Sequence, residues 1–195
     1  MNSNIVRVTI VALCFFFYAQ LANAGFTSIY ISPTPGSTIP VPDYNADPVA
    51  GSLDVYETWT NDHGTEYSFD VWGTTDSDPP LHIIKEVTNG TGVTWVGYNI
   101  DLDPTESPTF EETSPVPSSD VMTLISSSPY SLDFGLPSPV GPGDSVTFDF
   151  VVNIPSTGGF SFTLTQSPIL IPEPSACVLV FLGTALVAAL YRRRV

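Results

Sequence analysis

Ser145-Val146-Thr147-Phe148-Asp149-Phe150-Val151-Val152-Asn153-Ile154 is the stretch that decides the fold. Val146, Phe148, Phe150, Val152 and Ile154 fall on every second position, the period of a strand with one buried face and not the 3.6-residue period of a helix. Phe160, Phe162 and Leu164 repeat the pattern against Ser161, Thr163 and Thr165. The link Pro155-Ser156-Thr157-Gly158-Gly159 is short, so the two segments are expected to form an antiparallel hairpin. Working outward, 81–87 and 93–102 predict a second hairpin, because Thr88-Asn89-Gly90-Thr91-Gly92 supplies residues that tolerate positive φ. Val96, Tyr98, Ile100 and Leu102 then share a face. Residues 26–31, 52–59, 65–72 and 121–126 supply further strands. No window shows the sustained apolar stripe that a stable amphipathic helix needs.

Short strands separated by Pro-, Gly- and Ser-rich turns predict an all-β fold, an antiparallel β-sandwich. The stretches 32–48, 76–80, 103–119 and 126–142 are too rich in proline and serine to join a central strand and read as loops. Residues 166–171 read as a linker. Trp59, Tyr67, Phe69, Trp72, Trp95, Phe148 and Phe150 are expected in the core. The competing reading is a carbohydrate-binding platform of exposed rings. Alternation leaves Trp95 open, since it lies opposite the Tyr98 face, and Tyr44 in its Pro-rich loop is expected to be exposed.

The two ends have a different composition. Arg7 precedes an apolar run, 8–19, and Ala22-Asn23-Ala24 has the small-x-small form that a signal peptidase accepts, with cleavage before Gly25. That run is shorter than the ~20 residues a membrane-spanning helix needs. At the other end Pro172-Glu173-Pro174 is followed by an apolar stretch from Val178 to Leu190 and by Arg192-Arg193-Arg194. A basic cluster after an apolar run acts as a stop signal with its tail on the cytoplasmic side, which predicts a single C-terminal transmembrane helix. The organisation is therefore a signal peptide (1–24), a sandwich ectodomain (25–165), a linker (166–171) and a C-terminal sorting signal (172–195).

The order Pro-Glu-Pro, apolar run, arginines resembles the PEP-CTERM sorting domain of bacterial exported proteins. That resemblance implies processing by exosortase, a membrane-embedded thiol protease and transpeptidase, in the region of Pro172, Glu173 and Pro174. It implies a cytoplasmic-membrane anchor before processing and a cell-envelope or extracellular location afterwards. Lys85 to Trp95 with its Gly-Val-x-Trp strand, and 141–168, are similar to stretches in other exosortase-sorted proteins; this implies a β-rich surface domain and no particular activity. The partners expected are signal peptidase, exosortase, the membrane and extracellular polysaccharide.

Charge narrows the function further. Residues 25–171 hold nineteen of the twenty acidic side chains and one base, Lys85, for a formal charge of −18. Such a surface repels phosphate backbones, anionic lipid and acidic polymers, so nucleic acid is not expected as a partner. Both cysteines, Cys14 and Cys177, lie in the terminal segments, which leaves the ectodomain without a disulfide or a thiol nucleophile. The two histidines, His63 and His82, lack zinc-site spacing. There is no Gly-x-Ser-x-Gly elbow and no phosphate-binding glycine loop. No enzyme and no cofactor are expected. The carboxylate pairs Asp76 with Asp78 and Asp101 with Asp103 read as solvated loop charge, with calcium binding in an adhesion module as the alternative. Asn89-Gly90-Thr91 matches a glycosylation acceptor and reads as turn chemistry.

Overall fold

Alternation sorts the chain into two sheets. The computed structural model describes residues 25–34, 42–60, 66–103, 107–155 and 157–171. The signal-peptide and sorting-signal segments lie outside them, and among them there is no helix. The strands are β1 (Phe26–Pro33), β2 (Asp43–Asp47), β3 (Ser52–Trp59), β4 (Tyr67–Thr75), β5 (Pro80–Asn89), β6 (Trp95–Leu102), β7 (Thr109–Phe110), β8 (Ser118–Ser119), β9 (Thr123–Ser128), β10 (Ser131–Val140), β11 (Ser145–Asn153) and β12 (Gly158–Leu170). Sheet A runs β1-β4-β12-β6-β10-β9; sheet B runs β2-β3-β5-β11-β7, with β8 also pairing β11. The described fold is all-β and sandwich-like. One pair departs from the antiparallel expectation: β3 and β5 run parallel, because the strand between them in sequence, β4, belongs to the other sheet.

Both expected hairpins are instead arches between sheets. β11 pairs with β5 in sheet B while β12 pairs with β4 and β6 in sheet A, and the 88–92 link likewise carries the chain from β5 in sheet B to β6 in sheet A. The apolar pattern is blind to the difference. A hairpin puts the apolar residues of both strands on one face, and an arch sets them face to face across the core; either way every second side chain is buried. Here Phe148 of β11 meets rings of the opposing sheet, with Tyr98 stacked 4.8 Å from it and Phe134 4.9 Å from it, while Phe150 packs edge-on against Phe110 of β7 in its own sheet. Trp59 of β3 makes edge contacts with Tyr67, Trp95 and Tyr98 at 6.0, 6.4 and 6.2 Å. Such offset and edge geometries are those the ring quadrupoles favour.

Trp95 and Tyr98 are both fully buried, which strict alternation forbids. On β12 the register steps by one residue, from Ile169 opposite Gly97 to Leu170 opposite Trp95, while β6 spends two. Val96 is thus the extra residue of a β-bulge, and it returns Trp95 to the inner face.

Two expected boundaries are corrected. Residues 166–170 are no linker: they continue β12, with Gln166 buried opposite Tyr67 on β4 and Ile100 on β6. Polar partners inside the core, described below, let a glutamine extend the strand. The 126–142 stretch contains β10, whose Ser131–Gly135 half pairs with β6. Leu136, Pro137, Ser138 and Pro139 bulge out of that ladder and are exposed, since Pro137 and Pro139 have no N–H to give to it.

Candidate functional site

The outer face of sheet A carries an aromatic pair. In β4 the inward residues are Tyr67, Phe69, Val71, Gly73 and Thr75, so Trp72 faces out; in β1 Ile29 and Ile31 are buried and Tyr30 faces out. The two are register partners on neighbouring strands. Their rings stack with centroids 4.6 Å apart and planes 29° apart, each 44% exposed. The expectation that Trp72 belongs to the core is therefore corrected, whereas Trp59, Tyr67, Phe69, Trp95, Phe148 and Phe150 are buried. Leaving two large rings half in water forgoes roughly half of the ~1.5–3 kcal/mol that full burial would give each. Trp72's partner on its other side is Ser161 of β12, so an aromatic ring crowds the indole from one side only.

Hydroxyl and carboxylate groups surround this pair. Ser28 and Thr74, hydroxyls 2.9 Å apart, flank it on one side along the strands. On the other side Asp70 accepts from Thr163 at 2.9 Å and from Thr34 at 3.2 Å, and Ser68 and Thr165 share a hydrogen bond of 2.8 Å. Thr163 and Thr165 alternate with the buried Phe162, Leu164 and Gln166 of β12. The result is an antiparallel surface of paired hydroxyls with aromatic rings at one edge and no basic residue among these groups. Stacking surface beside fixed donors and acceptors is the chemistry that recognises a sugar ring. Tyr30 was not singled out from the sequence, although its parity against Ile29 and Ile31 marks it as outward.

The other residues read from the sequence do not assemble into a site. His82 Nε2 does meet a carboxylate, Asp149 Oδ1, at 2.6 Å. Both side chains are nearly half exposed on the outer face of sheet B, where they act as a cross-strand polar pair. His63 lies outside the described residues. Asp76 and Asp78 follow the end of β4 that pairs with Gly158, whereas Asp101 pairs with Thr165 farther along β12 and Asp103 follows β6. The two carboxylate pairs are thus separate, and among the described residues no three His, Cys, Asp or Glu side chains sit close enough together to hold a metal ion. Tyr44 is exposed, as expected.

At the ends, Gly25 is buried, and its carbonyl accepts from Asp76 N at 2.5 Å. Ala22, Ala24, Pro172, Glu173, Pro174, Val178, Leu190, Arg192, Arg193 and Arg194 lie outside the described residues. Among those described, no helix is long and apolar enough to cross a membrane.

No family model matches the chain, and no curated protein matches it. Among solved structures it is similar to the solution structure of the chitin-binding domain of a hyperthermophilic chitinase from Pyrococcus furiosus, at 18% identity, covering 67% of this chain and 93% of that one with a TM-score of 0.24. A likeness that low carries no argument about fold or ligand.

Proposed function

We propose that this chain is a non-enzymatic exported protein, sorted to the cell envelope by exosortase through residues 172–195, whose sandwich holds neutral polysaccharide on the outer face of sheet A. The observation that carries the binding half is the exposed Tyr30–Trp72 stack set among paired hydroxyls. A pyranose has an apolar face that lies against an aromatic ring and equatorial hydroxyls that bond in the ring plane. Trp72 offers the first contact; Asp70, Thr163, Ser68 and Thr165 offer the second. The formal charge of −18 on residues 25–171 disfavours uronate- or sulfate-bearing chains and leaves neutral ones as the fitting class. Sorting rests on the order of the terminal motifs, and the absence of a catalytic role on the exposed placement of the His82–Asp149 pair.

Affinity electrophoresis of the full chain in mild detergent tests the binding half. Gels cast with a neutral glucan are expected to retard the protein, and gels cast with a polyuronate are not. Trp72→Ala and Tyr30→Ala are expected to abolish the retardation, and Tyr56→Ala on sheet B to leave it unchanged. Equal retardation of Trp72→Ala and the parent would refute the assignment.

A further inference from the structure

Lys85 is the single base in residues 25–171, yet it is 1% exposed and so offsets none of the surface charge from outside. β5 turns it inward between Ile83 and Val87, with Nζ over the Phe69 ring at 5.6 Å from the centroid. It pairs with Oε1 of Glu57 on the parallel neighbour β3, whose carboxylate is likewise buried. Apart from that carboxylate, Nζ meets no hydrogen-bond acceptor among the described residues. From the opposing sheet, Gln166 Nε2 donates to Glu57 Oε2 at 2.8 Å. Tyr98 donates its hydroxyl to Gln166 Oε1 at 3.0 Å, with a longer branch of 3.2 Å to Glu57 Oε1. One oxygen of Glu57 therefore holds an amine and the other holds the nitrogen of a carboxamide whose carbonyl is already polarised.

As a device for holding two sheets together, this cluster is poor. The desolvation of a buried ion pair roughly cancels its attraction, and apolar side chains of similar volume would serve as well. It does hold the groups that making an amide needs: a nucleophile, an acid–base group touching both nucleophile and leaving group, and a donor on the oxygen that becomes negative.

We infer that Lys85 and Gln166 become joined by an intramolecular isopeptide bond, with Glu57 carrying the protons and Tyr98 stabilising the oxyanion. Lys85 passes one proton to Glu57, and the freed lone pair of Nζ attacks Cδ of Gln166. The Cδ–Nε2 bond then breaks as Glu57 returns that proton to Nε2, which leaves as ammonia, and Glu57 takes up the surplus proton from Nζ. The products are one amide, one ammonia and a protonated Glu57; no oxidant or outside reactant is needed. Burial lowers the pKa of Lys85, against the opposing pull of Glu57, which favours the neutral nucleophile. Burial also pushes the Tyr98 hydroxyl well above its ordinary range, so it retains the proton it donates. The bond would tie β5 of sheet B to β12 of sheet A, the strand that leads toward residues 172–195.

Peptide mass spectrometry of the full chain, unfolded and digested with a protease that does not cut at lysine, tests the assignment. The peptides carrying Lys85 and Gln166 are expected as one branched species, lighter than their sum by one ammonia. Glu57→Gln and Lys85→Met are expected to release the two peptides separately while keeping the β-sheet circular dichroism of the parent. Gln166→Glu is expected to give the same branched species by loss of water instead. Separate, unmodified peptides from the folded parent overturn the inference. So does a species in which Lys85 is joined to Glu57 with loss of water.

Discussion

Asn89 closes the link between β5 and β6 with a single side chain. Its amide nitrogen donates to the carbonyls of Val93 and Val140 at 2.9 and 3.0 Å, and its carbonyl accepts from the Thr91 N–H and hydroxyl at 3.0 and 2.6 Å. That turn role was legible from Asn89-Gly90-Thr91. Its complete burial was not, and it removes the side chain from use as a glycosylation acceptor. Asn89→Ala strands several buried partners at about 1–3 kcal/mol each, so a thermal melt is expected to fall by several degrees. A melt unchanged within error would show that the network contributes nothing. Glu111 is held at about 2, below its ordinary 4.5, by hydrogen bonds from the Thr113 hydroxyl and N–H, the Asn153 amide and the Ser114 N–H. A depressed carboxyl contributes stability that is fully present above about pH 4.5 and is lost as pH falls through that value toward 2. Glu111→Gln is expected to lower stability at neutral pH and to flatten the acid limb across that window; an unchanged acid limb would contradict this. At this scale the sequence marked which face Tyr30 and Trp72 occupy through parity alone. Hydrophobicity alone predicts Trp72 in the core, whereas its parity in β4 places it outside.

Strand positions follow from the period-two pattern because each strand buries one face: β3, β5 and β11 lie where Leu53, Val55, Ile83, Val87, Phe148 and Phe150 alternate. Partner choice does not follow from it. A hairpin and an arch bury the same residues, so the pattern predicts β5–β6 and β11–β12 as pairs although each spans the two sheets. Gly158, at φ +97, sits in the second of these links, a conformation that glycine allows without saying which sheet comes next. The Gln166 end of β12 was hidden for another reason: the partners that make it tolerable there, Glu57 and Tyr98, lie far off in sequence and on other strands. The bulge at Val96 is where element geometry can be tested. Deleting Val96 leaves Trp95 two residues before Tyr98, so strict alternation keeps both rings on the inner face without the bulge. Tryptophan emission is therefore expected to stay that of the parent. A red-shifted emission would show that Trp95 needs the bulge to stay inside.

Across the whole molecule, charge and end signals carry the functional account, and the sandwich supplies a rigid face for it. Replacing Pro172, Glu173 and Pro174 by alanine in an exosortase-bearing host is expected to leave export intact and to trap the protein in the membrane fraction. Processing and release like the parent would remove the sorting reading. The proposed ligand face has a built-in reporter. Of the three tryptophans in the chain, Trp59 and Trp95 are 5% and 0% exposed and Trp72 is 44% exposed, so a neutral quencher such as acrylamide reaches mainly Trp72. The decisive measurement is acrylamide quenching of the full chain during titration with a neutral glucan. The account predicts a saturable loss of quenching as a sugar ring covers Trp72, absent in Trp72→Phe and absent with a polyuronate. Quenching that stays unchanged at saturating neutral glucan, or that falls equally in Trp72→Phe, would contradict it.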